Sequence, residues 1–295
     1  MKRIGIISRL GRPEPVEILK ELLPWLKERG VETFINIEVA QALNTEGYPR
    51  TEIPKLSEVV VVLGGDGTML SVARIVCESG IPILGVNLGG LGFITEVHRA
   101  DIFEAFEKVL SGSYAIEDRL MLRARVRRSG EDIRSYIVLN DVVINKGALA
   151  RIITLETSIN GAYMTSFRAD GLIVSTPTGS TAYCLSAGGP ILYPTMESIV
   201  LIPICPHTLT NRPIVLPESV LIETTLRSPG EDVILTLDGQ TGFPLKRNDT
   251  VVVDKSTCKT RLLVPLQRDF FQLLRTKLGW CEPTKKLDRQ GFHGT

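Results

Sequence analysis

The run Gly64-Gly65-Asp66-Gly67-Thr68 follows an almost wholly apolar stretch, residues 58–63, and opens a helix-forming one. Glycines at such a junction leave the backbone free to turn its N–H groups toward an anion, and the positive end of the following helix adds to the attraction. The chemistry this suits is phosphate binding. No Gly-Lys-Ser/Thr follows, so this is not a Walker A loop, and it is not the G-x-G-x-x-G of a hydride-transfer enzyme. A carboxylate in a phosphate loop repels the phosphates unless it holds a metal ion or accepts a proton from the attacking hydroxyl, which makes Asp66 a candidate catalytic residue. The competing reading is a tight strand-to-helix turn capped by Asp66. A second glycine loop, Gly85-Val86-Asn87-Leu88-Gly89-Gly90-Leu91-Gly92-Phe93, follows the next apolar strand. Both loops fall at the carboxyl edge where open α/β sheets bind ligands; a glycine-rich connector with Phe93 in the core is the alternative. A third stretch carries six hydroxyl residues in nine positions: Ser175, Thr176, Thr178, Ser180, Thr181 and Tyr183. That is a costly choice for a core and suits a ligand rich in hydroxyl and amide groups, although such clusters also build ordinary turns.

The elements that position these loops are legible from periodicity. Up to about residue 113, short β-branched runs alternate with helical ones, the pattern of an α/β domain. Strands are expected over residues 2–8, 31–37, 58–63 and 81–86, and helices over 14–29, 68–79 and 101–110. Pro24 is expected to kink the first helix, and Asp101 to cap the last. After residue 113 strand-like runs succeed one another: 120–128, 133–145, 151–159 before the Asn160-Gly161 hairpin signal, 171–175, 198–204, 219–227, 233–238 and 250–254. Residues 266–278 read as a helix with Phe270, Phe271, Leu274 and Leu278 on one face, expected to return to the first domain. The polar tail, residues 282–295, reads as frayed.

Composition narrows the function. The 295 residues suffice for two domains, and 43% hydrophobic with 23% charged residues marks a folded globular chain. A formal charge of +1 gives no large field to draw the chain onto nucleic acid or an anionic membrane. Cys77, Cys184, Cys205, Cys258 and Cys281 form no C-x-x-C pair, which suits a reducing cytoplasm. His98, His207 and His293 share no metal-ligand spacing, so neither zinc nor histidine-led catalysis is expected. No signal peptide or membrane-spanning run is expected either.

Taken with Leu139-Asn140-Asp141, the Gly64–Thr68 and Ser175–Tyr183 motifs resemble those of the NAD kinases, which transfer a phosphoryl group to the 2′-hydroxyl of the adenosine ribose of NAD. The Gly-Gly-Asp-Gly core is shared with phosphofructokinases and with lipid kinases of the diacylglycerol and sphingosine type. Thr176-Pro177-Thr178-Gly179-Ser180-Thr181-Ala182-Tyr183 is far more particular to NAD kinases. The resemblance implies an N-terminal Rossmann-like α/β domain over residues 1–113, joined by the returning helix 266–280, and a C-terminal mainly β, NAD-binding domain over 114–265. It also implies a cytoplasmic transferase, homodimeric or homotetrameric, using ATP or polyphosphate and a divalent cation, Mg²⁺. Residue by residue, it makes Asp66 the acceptor of the 2′-hydroxyl proton, with Gly67 beside it, Gly64, Gly65 and Thr68 completing the phosphate loop, and Phe93 near the adenosine. Asn140 and Asp141 match the pair that holds the ribose hydroxyls. Arg151 and Arg168 match basic positions, Asp170 the acid near the nicotinamide, and Gln240 a late glutamine. Thr178, Thr181, Ala182, Tyr183, Cys184, Leu185 and Ser186 match the segment lining the dinucleotide. Some members carry a basic residue where Ser71 stands, and many a larger or polar one where Gly90 stands. A lipid kinase and a non-catalytic dinucleotide sensor are the rival readings.

Overall fold

The computed structural model describes residues 1–9, 13–90, 92–95, 97–147, 151–228, 232–266 and 269–280. Leu91, Cys281, His293 and the tail expected to fray lie outside the described residues. In the first sheet β1 (Arg3–Ser8), β2 (Glu32–Ile35), β3 (Val59–Leu63) and β4 (Pro82–Asn87) run parallel in the order β2-β1-β3-β4, and the short β5 (Val97–His98) pairs with β4. Every residue of β3 and β4 is buried, because helices cover both faces. α1 (Glu14–Glu28) and α5 (Ile102–Ser111) cover one face through Leu19, Leu22, Leu26, Phe106 and Val109; α2 (Ile37–Ala42) and α3 (Ile53–Leu56) are short connectors. α4 (Asp66–Val76) covers the other face through Met69, Val72 and Val76. α1 runs through Pro24 unbroken. Asp101 sits at the N-terminus of α5, but its side chain makes no capping bond, since residues 99–101 already form a 3-10 turn into the helix.

Two further strands complete this sheet from outside the expected run. β6 (Ala115–Arg119) pairs antiparallel with β19 (Thr260–Val264), which in turn pairs parallel with β4. Between them the chain builds two antiparallel sheets. One has the order β11-β10-β15-β18-β7-β8, from β7 (Leu122–Arg128), β8 (Glu131–Val138), β10 (Ile153–Ile159), β11 (Ala162–Ala169), β15 (Ile222–Leu226) and β18 (Thr250–Lys255). The other has the order β14-β13-β12-β9-β16-β17, from β9 (Asp141–Lys146), β12 (Gly171–Ser175), β13 (Ser198–Ile204), β14 (Ile214–Pro217), β16 (Val233–Leu237) and β17 (Thr241–Leu245). Their facing side chains, among them Leu122, Val126, Leu155, Val142, Leu172 and Leu235, form one sandwich core. The run 133–145, expected as one strand, splits: β8 and β9 belong to different sheets, and Leu139-Asn140 is the step between them.

The outer face of the second sandwich sheet is covered by the segment holding α6 (Tyr183–Ser186), through Cys184 and Leu192 against Val143, Ile173 and Val200. The two domains share a core, because Met121 and Leu139 pack with Met69, Leu70 and Val72 of α4. α7 (Phe270–Leu278) begins at Asp269, whose carboxylate accepts the N–H groups of Phe271 (2.9 Å) and Gln272 (3.1 Å). Its buried face is Phe270, Leu273 and Leu274, packed on Phe93 of the first domain and Ile191 of the second, whereas Phe271 is exposed. Among the described residues no helix is long and apolar enough to cross a membrane.

Candidate active site

β3 delivers the chain to the carboxyl edge of the first sheet, where Gly64 N–H bonds to the Val86 carbonyl (3.0 Å). A Cβ on Gly64 would stand 2.6 Å from Thr68 Oγ1, so the turn into α4 requires glycine there. Asp66 does not cap this helix: Gly65 occupies the cap position and Asp66 is the first helical residue. Its carboxylate reaches instead into the second glycine loop, accepting from Phe93 N (2.8 Å), Ile94 N (3.2 Å), Thr95 N (3.0 Å) and Thr95 Oγ1 (2.9 Å).

Two clefts are lined by the residues on either side of Asp66 in sequence. One, of about 540 Å³, is lined by Gly64, Gly65, Thr68, Leu88, Gly89 and Gly90, among others; the second, of about 420 Å³, by Gly67, Thr68, Ser71, Gly239 and Gln240. Arg9 lines both and Arg50 the second, so among the described residues the cationic side chains come from these two. Sequence reasoning passed over both. Arg9 could have been found, because it directly follows β1 at the same sheet edge; Arg50 carried no such signal. The Arg50 guanidinium is held by the Ser8 carbonyl (3.0 Å) and lies 3.3 Å from the Glu38 carboxylate.

A chain of side-chain contacts joins the Asp66 loop to the sandwich. Gln240 donates to the Gly67 carbonyl (2.6 Å) and accepts from Arg74 of α4 (2.6 Å). Arg74 also pairs with Asp238 (2.8 Å), which accepts the backbone N–H groups of Leu139 (3.2 Å), Asn140 (2.7 Å) and Asp141 (3.3 Å). Asn140 and Asp141 are thereby fixed at the step between the sheets, beside α4. Asn140 Oδ1 is buried without a hydrogen-bond partner among the described residues, which is uncommon for a buried acceptor. Burial, with Asp238 alongside, pushes the Asp141 carboxyl up to about 7. Burial also raises Asp238, against the lowering effect of the Asn140 and Leu139 N–H groups and Arg74.

The sign of the Asp141 shift sets a stability profile. The folded chain keeps a proton that the unfolded chain loses above the ordinary value near 4, so stability falls as pH rises from there to about 7 and then levels. Asp141→Asn removes this dependence. The Tm of the variant is expected to gain on that of the parent as pH goes from about 5 to about 7.5, and a difference constant with pH would contradict the assignment.

The hydroxyl-rich segment divides its duties. Thr176 Oγ1 donates to the Leu139 carbonyl (2.6 Å), Ser180 Oγ to the Pro177 carbonyl (2.7 Å), and Ser175 Oγ to the Thr176 carbonyl (3.0 Å), so these three build the junction itself. Thr178 is buried and accepts from Arg119 (3.4 Å), while Thr181, Ala182 and Leu185 are half-buried and Tyr183 and Ser186 exposed. Cys184 turns into the core, where burial pushes its thiol up to about 11. Phe93 is half-buried and docks α7, with Lys277 Nζ 5.4 Å from its ring centroid. Arg151 and Arg168 are exposed, and Asp170 lies 3.6 Å from Lys146; no hydrogen bond or ion pair among the described residues joins these three to the Asp66 network.

Residues 4–114 match the family model of the ATP-NAD kinase N-terminal domain, and residues 139–264 that of the ATP-NAD kinase C-terminal domain. The chain belongs to the NAD kinase family. NAD kinases of Geotalea daltonii and Geobacter sulfurreducens are each 50% identical to it over 283 residues, covering 96% of this chain and all of theirs. A yeast NADH kinase solved with NADH superposes with a TM-score of 0.89 at 25% identity, covering 97% of this chain and 90% of that one. An Archaeoglobus fulgidus NAD kinase solved with ATP, at 23% identity and a TM-score of 0.72, covers 95% of this chain and shares the fold. The match spans both domains, and the lipid-kinase and sensor readings receive no support. The chain is a kinase whose α/β domain presents the glycine loops and whose β domain presents the Asn140-Asp141 pair.

Proposed function

We propose that the chain transfers the terminal phosphoryl group of ATP to the 2′-hydroxyl of the adenosine ribose of NAD, giving NADP. The observation that supports this reading is the continuous chain of contacts Gly67–Gln240–Arg74–Asp238–Asn140, which links the loop of Asp66 to the Asn140-Asp141 step. The donor phosphates fit the clefts lined by glycine N–H groups, Arg9 and Arg50. The Asn140 amide and Asp141 carboxyl together accept from and donate to a vicinal diol, and Asp66 accepts the proton of the attacking hydroxyl. Phe93, Thr178, Thr181, Ala182, Tyr183, Leu185 and Ser186 line the rest of the dinucleotide, with Arg151, Arg168 and Asp170 toward its phosphates and nicotinamide. Inorganic polyphosphate meets the same donor loops.

Among the described residues no three His, Cys, Asp or Glu side chains converge as a metal cage, and neither cleft lining includes a carboxylate. This fits a cation carried chiefly by the donor phosphates. Bound there, the cation supplies neutralisation of phosphate charge. We place the enzyme in the cytoplasm, with no nucleic-acid or membrane partner, on its charge balance and the scatter of its cysteines, and as a homodimer or homotetramer on its resemblance to the family. A donor-by-acceptor assay for NADP, run with Mg²⁺ or excess chelator, tests the reading. NADP synthesis is expected with ATP and NAD, to stop in chelator and to return with Mg²⁺; full turnover in chelator would remove the cation, and phosphorylation of lipid in place of NAD the acceptor.

A further inference from the structure

The four donors on Asp66 are shared unequally. Among the described residues, Oδ1 accepts from Ile94 N, Thr95 N and Thr95 Oγ1, whereas Oδ2 accepts from Phe93 N alone. A carboxylate oxygen offers about two lone-pair sites, so Oδ1 is filled and Oδ2 keeps an acceptor position. We propose that Thr95, set in place by Asn87, is a positioning residue that pins Oδ1 and leaves Oδ2 as the atom that takes the 2′-hydroxyl proton; this rests on the kinase reading of the site.

The geometry around Thr95 leaves little freedom. Its side chain is fully buried, and its methyl group packs on Gly85 of β4, where any Cβ would come within 3.0 Å of Thr95 Cγ2. Its hydroxyl accepts from Asn87 Nδ2 (2.9 Å). With that lone pair engaged, the single hydroxyl proton is directed to Asp66 Oδ1. Asn87 cannot reverse its amide without loss, because Nδ2 also donates to the Gly90 carbonyl (2.8 Å) and Oδ1 accepts from Gly89 N (2.8 Å). A Cβ on Gly92 would overlap both Asp66 Oδ1 and Thr95 Oγ1, so the loop is glycine where the two groups meet. The second glycine loop thus has a duty besides phosphate binding: it orients the carboxylate contributed by the first.

A double-mutant cycle of Thr95→Val and Asp66→Asn separates positioning from bulk structure. Valine keeps the shape and removes the hydroxyl. Thr95→Val is expected to lower kcat by about 10-fold, with the KM for NAD and for ATP changed less than about two-fold, and Thr95→Ser to restore most of the rate. In the Asp66→Asn background the same change is expected to cost little more, because the atom it orients is no longer a base. If valine unfolds the chain, Thr95→Ala gives the same ratios. A penalty that persists in full in the Asp66→Asn background, one that serine does not repair, or a kcat equal to the parent's overturns the positioning role. Parental kcat in Asp66→Asn alone overturns instead the reading of the site.

Discussion

Asp66→Asn is expected to lower kcat by at least about 100-fold while the KM for NAD stays within a few-fold of the parent. Asparagine keeps the size of the side chain but cannot take a proton. Asn140 and Asp141, the pair proposed to bind the ribose, are held by Asp238, not by Asp66, so acceptor binding should survive the change. Stability pays a small penalty, because both carboxylate oxygens accept N–H groups and an amide sets one NH₂ against a donor. An unsatisfied donor costs about 1–3 kcal/mol, which is a Tm lowered by roughly 2–4 °C per kcal/mol in a chain of this size. Purified variant that forms NADP at near-parental kcat would remove Asp66 from the chemistry.

Gly179→Ala is expected to act on NAD binding rather than on turnover. Gly179 leans on the Asn140 peptide so closely that an added Cβ would overlap the Asn140 carbonyl oxygen and stand 2.6 Å from its carbon and 2.7 Å from Ser175 Oγ. That carbonyl already accepts Thr176 N (2.9 Å), and it cannot retreat without dragging Asn140 and Asp141 off the Asp238 carboxylate. Overpacking of this kind costs about 1–3 kcal/mol or more. The KM for NAD should rise by about 10-fold or more, since a displacement of 1 Å in a binding group is felt strongly. Steady-state kinetics with NAD varied, beside thermal unfolding, checks both effects, and an unchanged KM with unchanged Tm would refute the contact.

The parts of the site that could be read in the sequence are those whose cause is local. β3 and β4 are buried on both faces and therefore apolar throughout, and the glycine loops sit at their carboxyl ends where chain direction alone puts them. The hydroxyl-rich segment was legible as an unusual composition, but its serines and threonines split between building the junction and facing outward, a division set by which carbonyls lie nearby. What stayed hidden depends on distant pairing. Arg74 meets Asp238 across 164 residues, and Asp66 meets its donors 27 to 29 residues on, with nothing in the local pattern to announce either. The switch of sheets at Leu139-Asn140 was hidden for the opposite reason: the residues next to the step, 136–139 and 142–144, are apolar on both sides, and pattern alone cannot tell one long strand from two that diverge. β19 escaped because three apolar residues, Leu262 to Val264, are too few to mark a strand by themselves.

The seat of β19 has a consequence for how the chain is made. Its parallel register on β4, Arg261 opposite Pro82, closes a loop that contains the entire sandwich. Multidomain chains usually fold from the N-terminus as they are synthesised, each unit complete before the next begins. Here the first unit waits with Pro82 and Ile83 of β4 unpaired on the side that β19 takes until the ribosome has released residue 264, after the second unit has had time to form. An open parallel edge is a template for wrong pairing, so the nascent sheet depends on the rapid folding of the insert that brings its last strand home.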